Sequence, residues 1–460
     1  MEPQKPTISI LMFPWLAHGH IFPYLELSRS LLNRKNLHIY LCTTSINFDS
    51  IKNFIDKHSL HNSIKLVELE LEPSPDLPPH YHTTKNLPQS LKFTLIKAFQ
   101  TSKSSFSGII TTLKPDLVMY DLFQPWAAKV AASQGIPSLH FSIFGAVPLA
   151  FMHHLHTFGE AAAFPFPAIQ FENRELKSLL FLTEFLYQNI NDVDQDYLFG
   201  NFKQSCDIVL LKTSRGIEEK YIDYLSTMSE KKIVPLGPLI THNTQTNEES
   251  SDIIQWLNKK KQHSTLFISF GSEYFLSAAE IAEIAKGLEL CSSVNFIWII
   301  RSPSGASADE ALPRGFVERV SERGLVVTGW APQGSILGHE NTGGFVSHCG
   351  WSSVMESLYF GVPVVAMPMK VDQPINARML VEAGSCVEVS RSGNDGVFEG
   401  EEIARAIEKV MAEESGGGLR RRARELSATL KMEEEAVLDE AAEQVWRLCL
   451  KKRADCRSNK

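Results

Sequence analysis

Short apolar runs alternate with stretches of helical length along most of this 460-residue chain. Residues 7–13 and 37–42 are typical of buried strands, whereas residues 21–32 between them have the length and spacing of a helix. Residues 65–72 alternate apolar and charged side chains, which predicts an edge strand with one wet face, and the proline-rich residues 73–88 predict a loop. Because strands separated by helices form parallel sheets, the sequence predicts an α/β fold.

This pattern ends and restarts once, which predicts two domains. The chain is longer than one hydrophobic core normally serves, and 43% hydrophobic residues are enough to bury two. Residues 208–211 are the predicted last strand of the first domain, residues 266–270 begin the second, and Gly416, Gly417 and Gly418 predict a local flexible turn. The predicted division is 1–240, a polar linker 241–252, 253–435, and a helical C-terminal segment with a basic tail, 436–460.

Charge and cysteine content exclude several classes of protein. A formal net charge of −8 and a pI near 6.0 argue against a nucleic-acid partner, and the basic tail at Lys451, Lys452 and Arg453 is interpreted as a solvated end. Seven cysteines without a CxxC pair fit reduced thiols better than a disulfide framework or a zinc site. Pro14 and His18 interrupt the first apolar run, so it is not a secretory signal, and no run near the C-terminus reaches the length of a bilayer span. We expect a cytoplasmic monomer without a membrane partner.

Residues 330–373 carry the pattern of a nucleotide-sugar site. Residues 343–347 read as a glycine turn and a short buried strand, and a second turn then leads into a short helix. Ser352 and Ser353 suit the N-cap of that helix, and Glu356 stands three residues after Ser353, as a capping box requires. A helix N-terminus after a glycine turn binds anions, and His348 and Ser353 add donors for a diphosphate.

The same segment offers groups for the rest of a nucleotide sugar. Trp330 presents an aromatic face for a pyrimidine, Gln333 an amide for a ribose or base edge, and Glu356 a carboxylate for both ribose hydroxyls. Asp372 and Gln373 follow the next apolar strand and suit sugar hydroxyls. Taken singly, Trp330 is more often a core residue and Glu356 a helix cap. Their order and spacing together favour the nucleotide-sugar interpretation.

This segment resembles the signature box of the plant UDP-sugar-dependent glycosyltransferases of specialised metabolism. The resemblance implies the GT-B fold, in which two Rossmann-like domains face each other across a cleft and a final helix crosses back to the first domain. It also implies donor contacts from Ala331, Trp351 and Ser272, the last in a Gly-Ser turn that touches the diphosphate. The chain departs from the family at Ser352, where Asn is usual, and at Ile143, where many relatives carry Thr near the donor sugar.

Transfer to a hydroxyl requires a base, because an alcohol is a poor nucleophile. His20 follows the first strand, where ligands bind in such sheets, and it matches the family's catalytic histidine; His18 is expected to line the acceptor cleft. An alternative is that the two histidines form half of a metal site, although no Cys or carboxylate accompanies them at ligand spacing. Asp121, after the strand 116–120, is the expected partner of His20, and its alternative role is to cap the helix that follows.

The implied reaction is a single in-line displacement at the anomeric carbon, which inverts an α-linked UDP-sugar, UDP-glucose by expectation, into a β-linked product. Neither a metal nor another cofactor is expected. Two other classes stay open: a module that binds UDP-sugar without transferring it, which would lack the base, and a glycosidase, which would need paired carboxylates.

The expected acceptor is a small-molecule glycoside. Residues 79–84 and 87–88, with nearly the whole chain, resemble the branch-forming subgroup that glycosylates sugars already attached to a flavonoid or triterpenoid aglycone. The expected acceptor contacts are Trp15, His18, Tyr81, Phe123 and Phe144. Core packing is an equally good reading of each aromatic residue, and direct transfer to an aglycone hydroxyl is the alternative activity.

Overall fold

The computed structural model describes residues 7–85, 87–160, 162–180, 200–240, 248–301, 312–393 and 396–458. The chain divides into two compact units. The first comprises Met1–Ala161, Phe181–Leu239 and Glu433–Lys460, and the second comprises Ala162–Leu180 and Ile240–Met432. The expected first domain, 1–240, therefore contains a segment, 162–180, that groups with the second unit. Of the expected linker, 241–247 lie outside the described residues and the remainder begins the helix Glu248–Asn258.

The described part of the first unit is built on a parallel sheet of seven strands. They are β1 (Ile8–Phe13), β2 (Leu37–Thr43), β3 (Ile64–Glu68), β4 (Leu117–Tyr120), β5 (Ser138–Ser142), β6 (Ile208–Leu211) and β7 (Lys232–Pro235), in the order β3-β2-β1-β4-β5-β6-β7. The alternating strand β3 lies at one edge, as its pattern predicts. The prediction that β6 is the last strand is wrong, because β7 follows it. Only Ile233 and Val234 are apolar in β7, between Lys232 and Pro235, so its pattern is too short to recognise.

Helices cover both faces of this sheet, which explains why its central strands are apolar on both sides. In β1, Ile8, Ile10 and Met12 belong to one hydrophobic cluster, whereas Leu11 and Phe13 belong to the cluster on the other face. The helices of the first unit are His18–Arg34, Phe48–Lys57, Lys92–Thr101, Lys103–Leu113, Pro125–Ser133, Ala146–Phe158, Gly200–Gln204 and Arg215–Ser229, with single 3-10 turns at Ser45–Asn47, Pro79–Tyr81 and Gln89–Leu91.

The second unit repeats this architecture around a six-stranded parallel sheet of described residues. Its strands are β8 (Thr265–Ser269), β9 (Asn295–Ile300), β10 (Gly324–Thr328), β11 (Thr342–Ser347), β12 (Val364–Ala366) and β13 (Cys386–Glu388), in the order β10-β9-β8-β11-β12-β13, and β14 (Arg391–Ser392) pairs with β15 (Val397–Phe398) in a small hairpin. Its helices are Glu248–Asn258, Ala278–Leu290, Phe316–Val320, Gln333–Leu337, Trp351–Phe360, Gln373–Glu382 and Gly400–Met411, and residues 173–180 are also helical.

The last helix, Glu413–Ser458, contains Gly416, Gly417 and Gly418. The expected flexible turn is therefore wrong. Close packing accounts for the first glycine, since a Cβ at Gly416 would lie 2.0 Å from the Val410 carbonyl oxygen. Within the described residues, neither this helix nor any other is both long and apolar enough to cross a membrane. Every cysteine among the described side chains is a free thiol.

The end of this helix is held to the first sheet by a charged cluster. Arg453 donates from Nε and Nη2 to the Asp116 carboxylate at 2.8 and 2.6 Å, and the Ser9 backbone N–H donates to the same carboxylate at 2.9 Å. Burial alone would raise the pKa of Asp116, but the hydrogen bonds from Arg453 and Ser9 outweigh it and hold the pKa below its usual value. The carboxylate therefore stabilises the fold above its ordinary pKa, and that contribution is lost as the pH falls through the folded-state pKa.

We expect Arg453→Ala to lower the free energy of unfolding by about 1–3 kcal/mol at neutral pH, because it removes charge-assisted hydrogen bonds to a buried carboxylate. Denaturant unfolding from pH 7 down to pH 3 measures this, and the deficit should shrink as the pH falls and Asp116 takes up a proton. Arg447→Ala is the matched control, since Arg447 on the same helix forms an exposed pair with Glu443. Equal losses in the two variants would contradict the assignment.

Candidate active site

The chain turns directly from strand β1 into the helix His18–Arg34. The backbone N–H groups of His20 and Ile21 both donate to the Ala17 carbonyl at 2.9 Å, so helical hydrogen bonding begins at residue 18. The sequence placed the helix start at residue 21, with His20 in front of it. His20 instead lies in the first turn, which fixes its backbone at the carboxyl end of the strand.

His20 is paired with a fully buried carboxylate. Its Nδ1 lies 2.6 Å from Asp121 Oδ2, and Asp121 follows β4, the strand next to β1. The backbone N–H groups of Trp15 and Leu122 donate to the two Asp121 oxygens at 3.0 and 2.7 Å. Burial raises the pKa of Asp121, but the charge and hydrogen bond of His20, with these two N–H groups, lower it below its ordinary value. Asp121 is therefore an ionised carboxylate.

The alternative role of Asp121, as a helix cap, is wrong. The following helix begins at Pro125, and Gln124 occupies its N-cap position. Proline is favoured at the first position of a helix, so this helix begins at Pro125 and not directly after Asp121. Asp121 instead fixes the orientation of His20: a carboxylate beside Nδ1 places the proton there and leaves Nε2 as the acceptor. A neutral imidazole held in this form has the geometry of a general base.

Two of the five expected acceptor residues lie against the His20 ring. The rings of Phe123 and Phe144 lie 6.0 and 6.1 Å from the His20 ring, and both are half-buried. Trp15 is only 3% exposed and packs edge-on against Phe99, so it supports Phe123 from behind and offers little surface of its own.

The other two expected acceptor residues lie on neighbouring segments. His18 is half-buried, and its Nε2 lies 3.4 Å from Ser50 Oγ. Tyr81 ends a 3-10 turn and packs against the same apolar cluster as Trp15.

In the second unit, two turns lie side by side where β8 and β11 end. Ser269 and Ser347 are paired at the ends of these strands, so Gly271 and Ser272 on one turn are neighbours of His348 on the other. A Cβ at Gly271 would lie 2.8 Å from His348 Cε1, and a Cβ at Gly350 would lie 2.6 Å from His348 Nε2. The imidazole therefore occupies a slot that exists only because both neighbours are glycine.

His348 is held neutral in this slot. Burial first, and the charge of Lys370 second, lower the pKa of His348 to about 4. Its Nδ1 is buried and has no hydrogen-bond partner among the described residues. A buried ring nitrogen without a partner is costly, so this geometry suits a site that is completed by a ligand atom.

The helix Trp351–Phe360 begins one residue earlier than the sequence suggested. Gly350 is its N-cap, and the Val354 N–H donates to the Gly350 carbonyl at 3.0 Å. The predicted capping box from Ser353 to Glu356 is therefore wrong, since both residues lie inside the helix. Among the described residues no side chain caps this terminus, so the positive end of the helix dipole faces outward beside His348.

Glu356 is used in another way. Gln333 Nε2 donates to Glu356 Oε2 at 2.7 Å and lies 3.4 Å from Ser353 Oγ. Trp330, three residues before Gln333, is 53% exposed, as a platform for a base must be, whereas Trp351 is buried in the core. Ala331 and Ser352 are half-buried, and Ser272 is exposed.

The residues at the end of the signature segment hold its loops in place. Gln373 Oε1 accepts from the N–H groups of Met369 and Lys370, both at 2.9 Å, so its carbonyl is occupied by the loop. Asn376 Nδ2 donates to Asp372 Oδ2 at 2.8 Å and to the Cys349 carbonyl at 3.0 Å, which ties this loop to the His348 turn. Sequence reasoning missed Asn376. The available signal was its position four residues after Asp372, on the same helix face.

The metal alternative gains no support. Across the described side chains, no three His, Cys, Asp or Glu residues gather as a metal site. His18 and His20 also have separate partners, Ser50 and Asp121.

Comparison with known proteins identifies the family. Residues 236–428 match the family model described as UDP-glucoronosyl and UDP-glucosyl transferase. Over 98% of its length, the chain is 46% identical to UDP-glucosyltransferase 29 of Panax ginseng, of which 99% is covered. The chain belongs to this UDP-glycosyltransferase family. It is a plant-type enzyme of specialised metabolism.

Two further relatives are named for acceptors that already carry a sugar. The glycosyltransferase is 46% identical to a β-D-glucosyl crocetin β-1,6-glucosyltransferase of Gardenia jasminoides, with 95% of this chain and 98% of that one covered. It is 42% identical to a flavanone 7-O-glucoside 2''-O-β-L-rhamnosyltransferase of Citrus maxima, with 96% and 98% covered.

A solved structure agrees with this assignment. The complex of Phytolacca americana UGT2 with UDP-2-fluoro-glucose and pterostilbene matches 95% of this chain and 99% of its own, with a TM-score of 0.76 and 27% identity. The glycosyltransferase therefore has the expected GT-B fold, with two Rossmann-like α/β domains.

For the catalytic pair, we expect His20→Ala to lower kcat by roughly 10²–10⁴-fold, the usual cost of losing a general base, and to leave UDP affinity unchanged, because the UDP-contact candidates lie in the other unit. Asp121→Asn should give a smaller loss, since it disturbs the tautomer and keeps the imidazole. Steady-state kinetics and UDP titration measure both effects. His61→Ala, at an exposed histidine of the same unit, is the control. Activity of His20→Ala within a few-fold of the parent would refute the assignment.

For the donor turn, Gly271→Ala should weaken UDP binding by about tenfold or more, which corresponds to one displaced hydrogen-bonding group. Gly271 has φ +73°, and its new Cβ would drive the His348 ring out of its slot. Calorimetric titration with UDP gives the change. Gly108→Ala serves as the control, since a Cβ there meets nothing within 4 Å. An unchanged UDP affinity would mean that His348 does not contact the nucleotide.

Proposed function

We propose that this enzyme transfers glucose from UDP-glucose to a sugar hydroxyl of a plant glycoside of triterpenoid or flavonoid type, and so elongates or branches its sugar chain through a β-linkage. The observation that carries the acceptor class is likeness along nearly the whole chain to relatives named for glycoside acceptors. Because that likeness covers the first unit as well as the donor segment, it includes the residues around His20.

In the proposed reaction His20 removes the acceptor proton. Nε2 takes the proton from the sugar hydroxyl as its oxygen attacks the anomeric carbon, and the imidazolium formed is stabilised by Asp121 at 2.6 Å. Asp121 does not accept the proton itself, because its pKa is held below the ordinary value. The fully buried carboxylate makes this charge stabilisation stronger than it would be in water.

The departing UDP is stabilised by the second unit. As the bond to the anomeric carbon breaks, negative charge builds up on the diphosphate. The N-terminus of the helix Trp351–Phe360, the neutral His348 ring and the Gly271–Ser272 turn are placed to receive it. Attack opposite to the leaving group inverts the anomeric configuration. In this proposal the protein groups take up the leaving-group charge and no metal takes part.

The proposed contacts of the nucleotide follow from the Trp330 face and the Glu356 carboxylate. The exposed Trp330 ring stacks on uracil, and Glu356, already oriented by Gln333, accepts from the ribose hydroxyls. Asp372, held by Asn376, bonds the glucose hydroxyls. Because the side-chain carbonyl of Gln373 accepts hydrogen bonds from the loop, we propose that Gln373 binds the sugar through its NH₂ group.

On the acceptor side, apolar and polar surfaces meet beside the base. Phe123 and Phe144 flank His20. His18, in the first turn of the same helix as His20, lies beside Ser50 of the helix Phe48–Lys57. In our proposal the aromatic rings contact the aglycone and the polar pair bonds hydroxyls of the attached sugar. A bare aglycone would leave those polar groups without partners, which disfavours it.

The proposal predicts that a monoglucoside is preferred over its own aglycone by about 10²-fold or more in kcat/KM, because a site built for hydroxyl groups rejects a ligand that lacks them. UDP release is measured with a flavonol, a triterpenoid and their monoglucosides, and mass spectrometry locates the new sugar. A parallel series with a chelator should give the same rates. A better rate with bare aglycones would favour the alternative, direct glucosylation of an aglycone, and a strict Mg²⁺ requirement would overturn the leaving-group step.

A further inference from the structure

A basic cavity lies in the second unit, away from the donor turns. It has a volume of about 660 Å³, and Gln262, His263, Arg420, Arg421, Arg424 and Glu425 are among its lining residues. His263 stands just before β8, and its N–H donates to the Glu340 carbonyl just before β11. The cavity is therefore at the amino ends of the strands whose carboxyl ends carry Gly271 and His348.

The arginines of this cavity come from one short run on the last helix, 420–424. Arg420 donates to the carbonyls of Val410 and Ala412 at 2.9 and 3.2 Å, which anchors its guanidinium at the end of the preceding helix. The Arg424 backbone packs 3.3 Å from a Cβ placed on Gly361, so that glycine lets the helix approach. The basic side chains are thus mounted on a packed surface.

His263 is positioned by a constrained turn. Its φ is +56°, in the left-handed region that non-glycine residues rarely adopt, so the turn is held by its surroundings. Its carbonyl oxygen would lie 2.0 Å from a Cβ on Gly343, so the turn fits only against that glycine. Arg424 Nη2 donates to His263 Nε2 at 2.5 Å, which requires a neutral ring. The imidazole thereby orients the guanidinium without neutralising its charge.

The charge of Arg424 is not balanced locally. Among the described residues, no carboxylate oxygen lies within 4.0 Å of its guanidinium, whereas the acid in the cavity, Glu425, is paired with Arg421 and Arg422. One of the five N–H groups of Arg424 is used by His263, and the planar fork of the others suits a phosphate better than a single carboxylate oxygen. The Arg424 side chain is solvent-exposed, so in a chain with a net charge of −8 its guanidinium is accessible to an anionic ligand.

We propose that this cavity is a second small-molecule site, which binds a phosphate ester through Arg424 and Arg421. The ligand class is a phosphorylated compound of sugar-phosphate size, because the cavity is far larger than a phosphate group alone. The site is independent of the donor turns and of the acceptor assignment. Binding at this cavity would be separate from sugar transfer, because the cavity lies at the amino ends of β8 and β11 and the donor turns lie at their carboxyl ends.

Calorimetric titration of the full chain with glucose 6-phosphate, with UDP added to saturation so that the donor site is blocked, tests the proposal. We expect one saturable site, at least tenfold weaker in Arg424→Gln and weaker in Arg421→Gln, whose side chain is mostly solvent-exposed and so cannot be needed for folding. Arg405→Gln, at an exposed arginine paired with Glu402, should bind like the parent. UDP affinity in each variant verifies that the second unit is folded.

Three outcomes would overturn the site: no saturable binding by the parent, unchanged affinity in both cavity variants, or an equal loss in Arg405→Gln. Inorganic phosphate is titrated in parallel. Weaker binding of phosphate than of glucose 6-phosphate supports a phosphate ester, and equal binding would overturn that choice of ligand in favour of the free anion.

Discussion

The hydrogen bonding of the buried Asp121 carboxylate is the interaction on which the arrangement of residues around His20 depends. A charge without solvent must be compensated, and Asp121 is compensated by two backbone N–H groups and the His20 ring. These partners come from the loop after β1, from Leu122 next to Asp121 itself, and from the first turn of the helix His18–Arg34. Satisfying one carboxylate therefore fixes the relative position of all three, and the orientation of the base follows from the electrostatics of the fold.

The turns around His348 in the second unit depend on a different constraint, which is the absence of side chains at two glycines. Gly271 and Gly350 leave a slot for the His348 ring, and burial in that slot keeps the ring neutral. A neutral imidazole donates one hydrogen bond and retains one acceptor, so the contact with a diphosphate that we propose for His348 is a directional hydrogen bond and not a charge attraction. The outward-facing terminus of the helix Trp351–Phe360 supplies the positive potential instead. Shape and charge thus come from separate groups, and each can be altered without the other.

Sequence reasoning succeeded where the determinant is local. The apolar run of β1 follows from burial on both faces, and the edge pattern of β3 follows from burial on one face. The order of the segment from Trp330 to Gln373 follows from a strand, a turn and a helix in sequence. It failed where a residue's role depends on a distant neighbour. The glycines around Gly416 predict a turn, but Gly416 lies in a helix and packs against Val410. Asp121 is a candidate helix cap by sequence, but the helix begins only at Pro125. The role of Asn376 depends on its hydrogen bond to the distant Cys349 carbonyl. The basic face at Arg424 likewise exists only because the helix is docked on Gly361.

Acceptor choice is the property least determined by these shared constraints. One relative, 46% identical, is named for transferring glucose and another, 42% identical, for transferring rhamnose, and their acceptors are glucosides of different aglycones. In our proposal, the His20–Asp121 pair supplies the base and the His348 slot binds the leaving group, two requirements that such reactions have in common. Acceptor selectivity depends instead on single polar contacts, each worth about 1–3 kcal/mol when left unpaired, or roughly tenfold to a hundredfold in rate. In our proposal, a polar pair beside the base, such as His18 and Ser50, therefore affects which sugar hydroxyl is presented to His20, and it does so without a change in the fold.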